Sequence, residues 1–114
     1  MAYRLGLTMR VVAAPDSGEA RDALAHDWAP FLAYAVPEAT WMPVPNLGAE
    51  APATVRAWDL DALILSGGND LGEAPLRDQT ERALLDYFIA ADRPVFGVCR
   101  GLQMLQSYFG GSLE

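Results

Sequence analysis

The stretch Pro94-Val95-Phe96-Gly97-Val98-Cys99-Arg100-Gly101-Leu102-Gln103-Met104-Leu105 constrains the fold more than any other part of the chain. A short apolar run enters a Gly-x-Cys-x-Gly turn and passes without a spacer into a helical pattern. Such a strand-turn-helix elbow holds its central residue in a strained backbone conformation and demands small neighbours, because larger side chains would collide across the turn. Gly97 and Gly101 meet that demand. The turn points the central side chain out of the carboxyl end of the strand. The amides that follow, beginning with Arg100 N–H, open a helix whose positive end favours a thiolate. Cys99, the sole cysteine, is therefore the candidate nucleophile. The helix after it is expected to bury Leu102, Leu105 and Phe109 and to end at Gly110-Gly111, residues that tolerate positive φ.

The strand before the elbow, residues 95–98, needs a neighbour, and residues 60–66 supply one. Leu-Asp-Ala-Leu-Ile-Leu-Ser is a near-continuous apolar run, the pattern of a strand buried on both faces, and it breaks at Gly67-Gly68-Asn69-Asp70. Between the two strands, Asp78 and Glu81 have capping-box spacing. They open a helix with Leu84, Leu85, Phe88 and Ile89 on its buried face, ending before Arg93-Pro94. Strand, helix and strand within about 40 residues predict a parallel crossover with both carboxyl ends on one edge of the sheet. That edge is where open α/β sheets build their sites, and it sets Gly67-Gly68 beside Cys99. A tetrahedral intermediate on a cysteine needs two donors aimed at its oxyanion, for which Gly68 N–H and Arg100 N–H are the candidates. On its own, the glycine pair reads first as a strand-ending turn, and its pairing with the elbow reverses that order. A phosphate loop fits less well, since no Gly-Lys-Ser/Thr follows.

Earlier in the chain, residues 3–12 read as a first strand and residues 13–18 have loop composition. Asp16 and Glu19 again have capping-box spacing, ahead of a helix with Leu24, Trp28, Phe31, Leu32 and Ala35 on one stripe, kinked or split at Pro30. His26, two residues from Leu24 and one turn from Asp22, falls on the polar face and reads as a solvated histidine rather than a base. Residues 40–44 read as a second strand, 47–54 as a loop, and 55–58 as a short helix.

A chain of 114 residues, 52% hydrophobic, fits one domain, expected to span residues 1–114. Eight arginines, no lysine and fifteen acids give a net charge of −7, which argues against a nucleic-acid partner. One cysteine cannot form an internal disulfide, and one distant histidine gives no zinc-ligand spacing, so neither metal nor cofactor is expected. No apolar run approaches the ~18 residues of a membrane span, and no apolar leader precedes Arg10. The expectation is a soluble, unprocessed, cytoplasmic protein without a membrane partner.

Four segments together resemble the class I glutamine amidotransferase-like proteins, and within them the gamma-glutamyl-gamma-aminobutyrate hydrolase branch. They are Leu65-Ser66-Gly67-Gly68-Asn69-Asp70, Arg77-Asp78-x-x-Glu81, the run from Pro94 to Gln103, and Phe109-Gly110-Gly111-Ser112-Leu113. Arg100 favours the hydrolase branch, because ammonia-supplying members more often resemble Cys-Leu-Gly there. The resemblance implies a flavodoxin-like three-layer sandwich with a parallel sheet, a Cys-His-Glu triad, and attack on a small-molecule gamma-glutamyl amide through a thioester. Gln103 and Gly67 match positions that hold the glutamyl group. Family members are about twice as long, and their histidine and glutamate come from the second half. The resemblance thus implies an N-terminal, nucleophile-bearing half of the domain, truncated after the elbow helix, inactive alone, and partnered by the missing C-terminal half or a synthase subunit. A sheet ending there would leave an apolar edge prone to self-association.

Three readings follow. The first is a gamma-glutamyl amide hydrolase whose cysteine attacks once a histidine deprotonates it. The second is a glutaminase subunit supplying ammonia to a synthase. The third is a non-catalytic module with Cys99 as a reactive thiol, which peroxide titration with mass spectrometry would reveal.

Overall fold

In chain order the elements are β1 (Tyr3–Thr8), β2 (Arg10–Ala13), β3 (Ala20–Ala23), α1 (Trp28–Ala35), β4 (Ala39–Val44), α2 (Ala51–Ala57), β5 (Ala62–Leu65), α3 (Pro75–Ala90), β6 (Val95–Gly97) and α4 (Arg100–Tyr108). They come from a computed structural model that describes residues 3–110; Gly111, Ser112 and Leu113 of the motifs above lie outside the described residues. Strands β4, β1, β5 and β6 form one parallel sheet in that order. Leu5 lies opposite Ala62, and Leu65 opposite Gly97. The carboxyl ends of β5 and β6 therefore finish side by side.

Alternation along the strands distributes the core to two faces. Leu63 and Leu65 of β5 join Val55, Leu84, Leu85, Phe88 and Met104, with Val95 of β6 packed against them, beneath α2, α3 and α4. Ala62 and Ile64 join Leu5, Leu7 and Leu32, beneath α1. Helices on both faces of a parallel sheet give the expected three-layer, flavodoxin-like α/β architecture.

The expectations for the amino-terminal third need correction. The strand placed at residues 3–12 ends at Thr8, and Arg10–Ala13 pairs instead, antiparallel, with Ala20–Ala23. Pro15-Asp16-Ser17-Gly18 is the tip of that hairpin: Ala14 N–H donates to Glu19 O at 2.8 Å, and Gly18 has φ +71°. Turn chemistry thus overrides the capping-box spacing of Asp16 and Glu19. The helix begins only at Trp28. Pro30 falls in its first turn, where an N–H has no intrahelical acceptor, so the proline neither kinks nor splits it. Of the predicted stripe only Leu32 is fully buried; Leu24 and Trp28 are half-buried, while Phe31 and Ala35 are exposed. His26 is exposed as expected, but in the turn before α1 rather than on a helical face.

Elsewhere the differences are smaller. Helix α2 starts at Ala51, with a proline in its opening positions and a 3-10 turn, Gly48–Glu50, before it. Helix α3 starts at Pro75, so Asp78 and Glu81 lie inside it and form no capping box. Ile89 is exposed rather than buried. In α4, Leu102 and Phe109 are exposed, Leu105 is half-buried, and the buried residues are Arg100, Gly101 and Met104. Gly101 sets that phase by packing its Cα against the Leu65 carbonyl, which turns positions 104, 105 and 108 inward and 102 and 109 outward.

Candidate active site

The elbow is built by contacts that only glycine permits. A Cβ on Gly101 would stand 2.2 Å from Leu65 O, and one on Gly97 would stand 2.7 Å from the Gly101 backbone. With both absent, α4 starts directly against the end of β5. Val98 N–H donates to Leu65 O at 3.0 Å, and Gly101 N–H donates to Val98 O at 2.9 Å. Between them Cys99 is held at φ 52°, ψ −110°, a conformation that L-residues rarely adopt. Strain of this kind costs about 1–3 kcal/mol and persists only where the surroundings over-determine it. The Cys99 side chain is exposed, as the elbow predicted.

The glycine turn stands beside the cysteine. A Cβ placed on Gly67 would lie 3.7 Å from Cys99 Cβ, and Gly68 has φ +89°. Among the described residues, nothing accepts a hydrogen bond from Gly68 N–H or Arg100 N–H. Gln103 is exposed one turn into α4, its N–H donating to Cys99 O at 3.3 Å. The structure thus brings Gly67, Gly68, Cys99, Arg100 and Gln103 to one edge of the sheet.

A buried ionic network beneath this edge went unread in the sequence. Arg77, Glu81 and Arg100 have almost no solvent exposure, and Arg100 pairs with both Glu81 and Asp78. Glu81 also pairs with Arg77 at 3.3 Å and accepts the Thr8 hydroxyl proton at 2.6 Å. Arg77 then fixes the glycine turn, donating to Ser66 O at 2.7 Å and to Gly67 O at 2.9 Å. Ser66 completes the link to β1, its hydroxyl donating to Thr8 O at 2.6 Å. Burial pushes the Arg77 guanidinium below its ordinary value, against the opposing pull of Glu81. The signal was present: positions 77, 81, 84, 85 and 88 share one helical stripe, so two opposite charges four residues apart sit on an otherwise apolar face.

Asn69, at φ 28°, anchors the turn to the hairpin. Its side chain accepts from Val11 N–H at 2.8 Å and donates to Val11 O at 3.0 Å, standing in for a strand partner. The hairpin in this way roofs a small cleft of about 200 Å³ over the glycine turn, lined by Arg10, Leu24, Trp28, Ser66, Gly67 and Gly68 among others. A second shallow cavity runs from Trp28 and Phe31 to Val98, next to Cys99. Among the described residues, no group of three or more His, Cys, Asp or Glu could hold a metal ion, and no helix is long and apolar enough to cross a membrane.

Residues 11–114 match the family model described as Peptidase C26. The gamma-glutamyl-CDP-amidate hydrolase of Campylobacter jejuni subsp. jejuni is 30% identical over 116 residues, covering 96% of this chain and 57% of that protein. A glutamine amidotransferase-like protein of Lactococcus lactis subsp. cremoris is 40% identical over 68 residues, 47% of this chain and 36% of its own. The glutamine-hydrolyzing GMP synthase of Salmonella typhimurium is 39% identical over 62 residues, 54% of this chain and 11% of that protein. The chain thus spans little more than half the length of these relatives at most.

Proposed function

The chain belongs to the peptidase C26 family, and on that footing we propose that it carries the nucleophilic half of a gamma-glutamyl amide hydrolase. The observation that carries the reading is Cys99 at φ 52° on a strand-to-helix elbow, exposed and facing Gly67. The Cys99 thiolate attacks the γ-carbonyl carbon, and the tetrahedral oxyanion is held by Gly68 N–H and Arg100 N–H. Collapse breaks the C–N bond, a general acid protonates the leaving amine, and water then cleaves the thioester to release the glutamyl carboxylate and restore the thiol. Gly67 and Gln103 line the place of the glutamyl group. Residues 1–114 act as one nucleophile-bearing unit, with the base supplied by a polypeptide carrying a histidine and a glutamate. His26, exposed in the turn before α1, takes no part.

The test measures amine or ammonia release from gamma-glutamyl amides by the chain, by its Cys99→Ala variant, and by each mixed with a polypeptide carrying the second half of the family domain. Activity is expected only in the mixture with Cys99 intact. Turnover that survives Cys99→Ala, or a mixture that binds substrate without turning it over, would overturn the reading. Alignment with GMP synthase supports a second one, a glutaminase that passes ammonia to a synthase. It requires glutamine turnover that rises when the synthase is added.

A further inference from the structure

Arg10 ends the link from β1 to the hairpin and lies over the glycine turn. Its Cβ, Cγ and Cδ stand 2.9, 3.4 and 2.8 Å from the point where a Cβ on Gly68 would be. Gly67, on the other side of the same dipeptide, packs beside Cys99. The arginine stem and the candidate nucleophile therefore flank one glycine pair. Of the eight arginines, only Arg10 and Arg56 lack a hydrogen-bonded or ion-paired side-chain partner among the described residues. In a chain with fifteen acids, an unpaired guanidinium at a cleft is the exception. The cleft has Arg10 as its sole charged lining residue, and its other walls are the apolar Leu24 and Trp28 and the Ser66-Gly67-Gly68 turn. A net charge of −7 repels anions at long range, so an anionic substrate needs a local reversal of sign at the place where it docks.

We infer that Arg10 is the anion-recognition residue of this site, its guanidinium receiving the free α-carboxylate that a gamma-glutamyl amide keeps while its γ-carbonyl faces Cys99. The assignment rests on the hydrolase reading above for the identity of the anion. A planar guanidinium suits a carboxylate because two parallel N–H donors match its two oxygens. Arg10 is itself exposed, so its guanidinium is open to a ligand entering the cleft.

Alkylation tests this without turnover. Iodoacetate and iodoacetamide react alike, the thiolate forming a C–S bond as iodide leaves, but only iodoacetate carries a carboxylate. Cys99 is the one thiol, so the mass of the adduct reports on a single position. The ratio of the iodoacetate rate to the iodoacetamide rate should fall roughly 3- to 10-fold in Arg10→Gln, the scale of one charge-assisted contact. Arg10→Lys should keep most of the wild-type ratio, and Arg56→Gln, which removes the same charge elsewhere, should keep all of it. In the wild-type chain, glutarate should slow labelling by iodoacetamide and neutral glutaramide should not, a result independent of how any variant folds. An unchanged ratio in Arg10→Gln, an equal fall in Arg56→Gln, or equal protection by glutarate and glutaramide would overturn the assignment. A collapsed ratio alongside a mixture that fails to hydrolyse gamma-glutamyl amides would keep the anion site and remove the hydrolase reading; the converse result would do the opposite.

Discussion

Arg100, the residue after the elbow cysteine, is ion-paired to Glu81 of α3, and both side chains are closed to solvent. Glu81 in turn holds Arg77, which donates to the carbonyls of Ser66 and Gly67. One carboxylate thereby ties the start of α4 to the glycine turn, the two segments that flank Cys99. Such a link sets the spacing between Gly68 N–H and Arg100 N–H without contacting anything between them. Buried ion pairs contribute little net stability, because desolvation offsets much of the attraction, but losing one partner leaves the other charge stranded.

Glu81→Gln should therefore be severe. It leaves Arg77 in the interior without the carboxylate it pairs with and Arg100 with Asp78 alone, and should cost about 3–5 kcal/mol of unfolding free energy in urea titration. Glu19→Gln removes the partner of Arg21 in an exposed pair and should cost no more than about 1 kcal/mol. Equal losses in the two variants would mean that the buried network is not structurally decisive.

The glycines around Cys99 should separate into two kinds. Gly101→Ala puts a methyl group 2.2 Å from Leu65 O, a backbone atom that cannot move aside, and should cost more than about 3 kcal/mol, beyond ordinary overpacking. Gly67→Ala brings its methyl only to 3.7 Å from Cys99 Cβ, so stability should change by less than about 1 kcal/mol. Its effect should appear instead as severalfold slower labelling of Cys99 by iodoacetamide. Thermal melts and labelling rates on the two variants check both halves of the expectation.

The legible and illegible parts of the chain differ for a physical reason. The elbow, the apolar β5 run and the glycine turn announce themselves locally, because strand periodicity and steric need for glycine act within a few residues. The hairpin at Arg10–Ala13 and Ala20–Ala23 did not, since Pro15-Asp16-Ser17-Gly18 and the Asp16 to Glu19 spacing satisfy turn and helix-cap rules alike. What decides between them is long-range: Asn69, 58 residues away in sequence, supplies both hydrogen bonds to Val11. Arg10 entered the cleft through the same misplaced element. The phase of α4 was equally hidden, because Leu102 and Phe109 satisfy helical spacing as well as Met104 does. Only the contact of Gly101 with Leu65 O selects which face turns inward.

Tyr108, near the end of α4, should give the chain a small alkaline limb of stability. Its hydroxyl donates to Asp86 of α3, and that hydrogen bond raises the phenol above its ordinary value of 10.0. The protonated phenol is favoured in the folded state, so the contribution is fully present below about pH 10 and is lost as pH rises through the raised folded value. An ultraviolet titration should show one of the four tyrosines ionising later than the ordinary value, and Asp86→Asn should return it. A titration unchanged by Asp86→Asn would show that the hydrogen bond is not formed in solution.

The β6 side of the molecule should make the chain self-associate. β6 is the last strand of the described sheet and pairs only with β5, leaving its other backbone edge unsatisfied among the described residues. On the face that it shares with α1, Phe96 is 57% exposed and Val98 40%, with Phe31 at 55% nearby across the cavity beside Val98. Leu102 at 56% and Phe109 at 68% extend the apolar surface along α4. A parallel strand bare at its edge and apolar on its open face is a template for pairing, and neither a proline nor a lysine on β6 blunts it. Sedimentation velocity across a concentration series should show mass above that of the 12.3 kDa chain, rising with concentration. Phe96→Thr, which keeps a strand-forming residue while removing an aromatic ring from the open face, should shift the distribution towards the monomer. A monomer at every concentration, with a reversible melt, would mean that these side chains stay solvated without driving association. Association that Phe96→Thr leaves untouched would move the contact from β6 to the outer face of α4, where Leu102→Gln would be the variant to make.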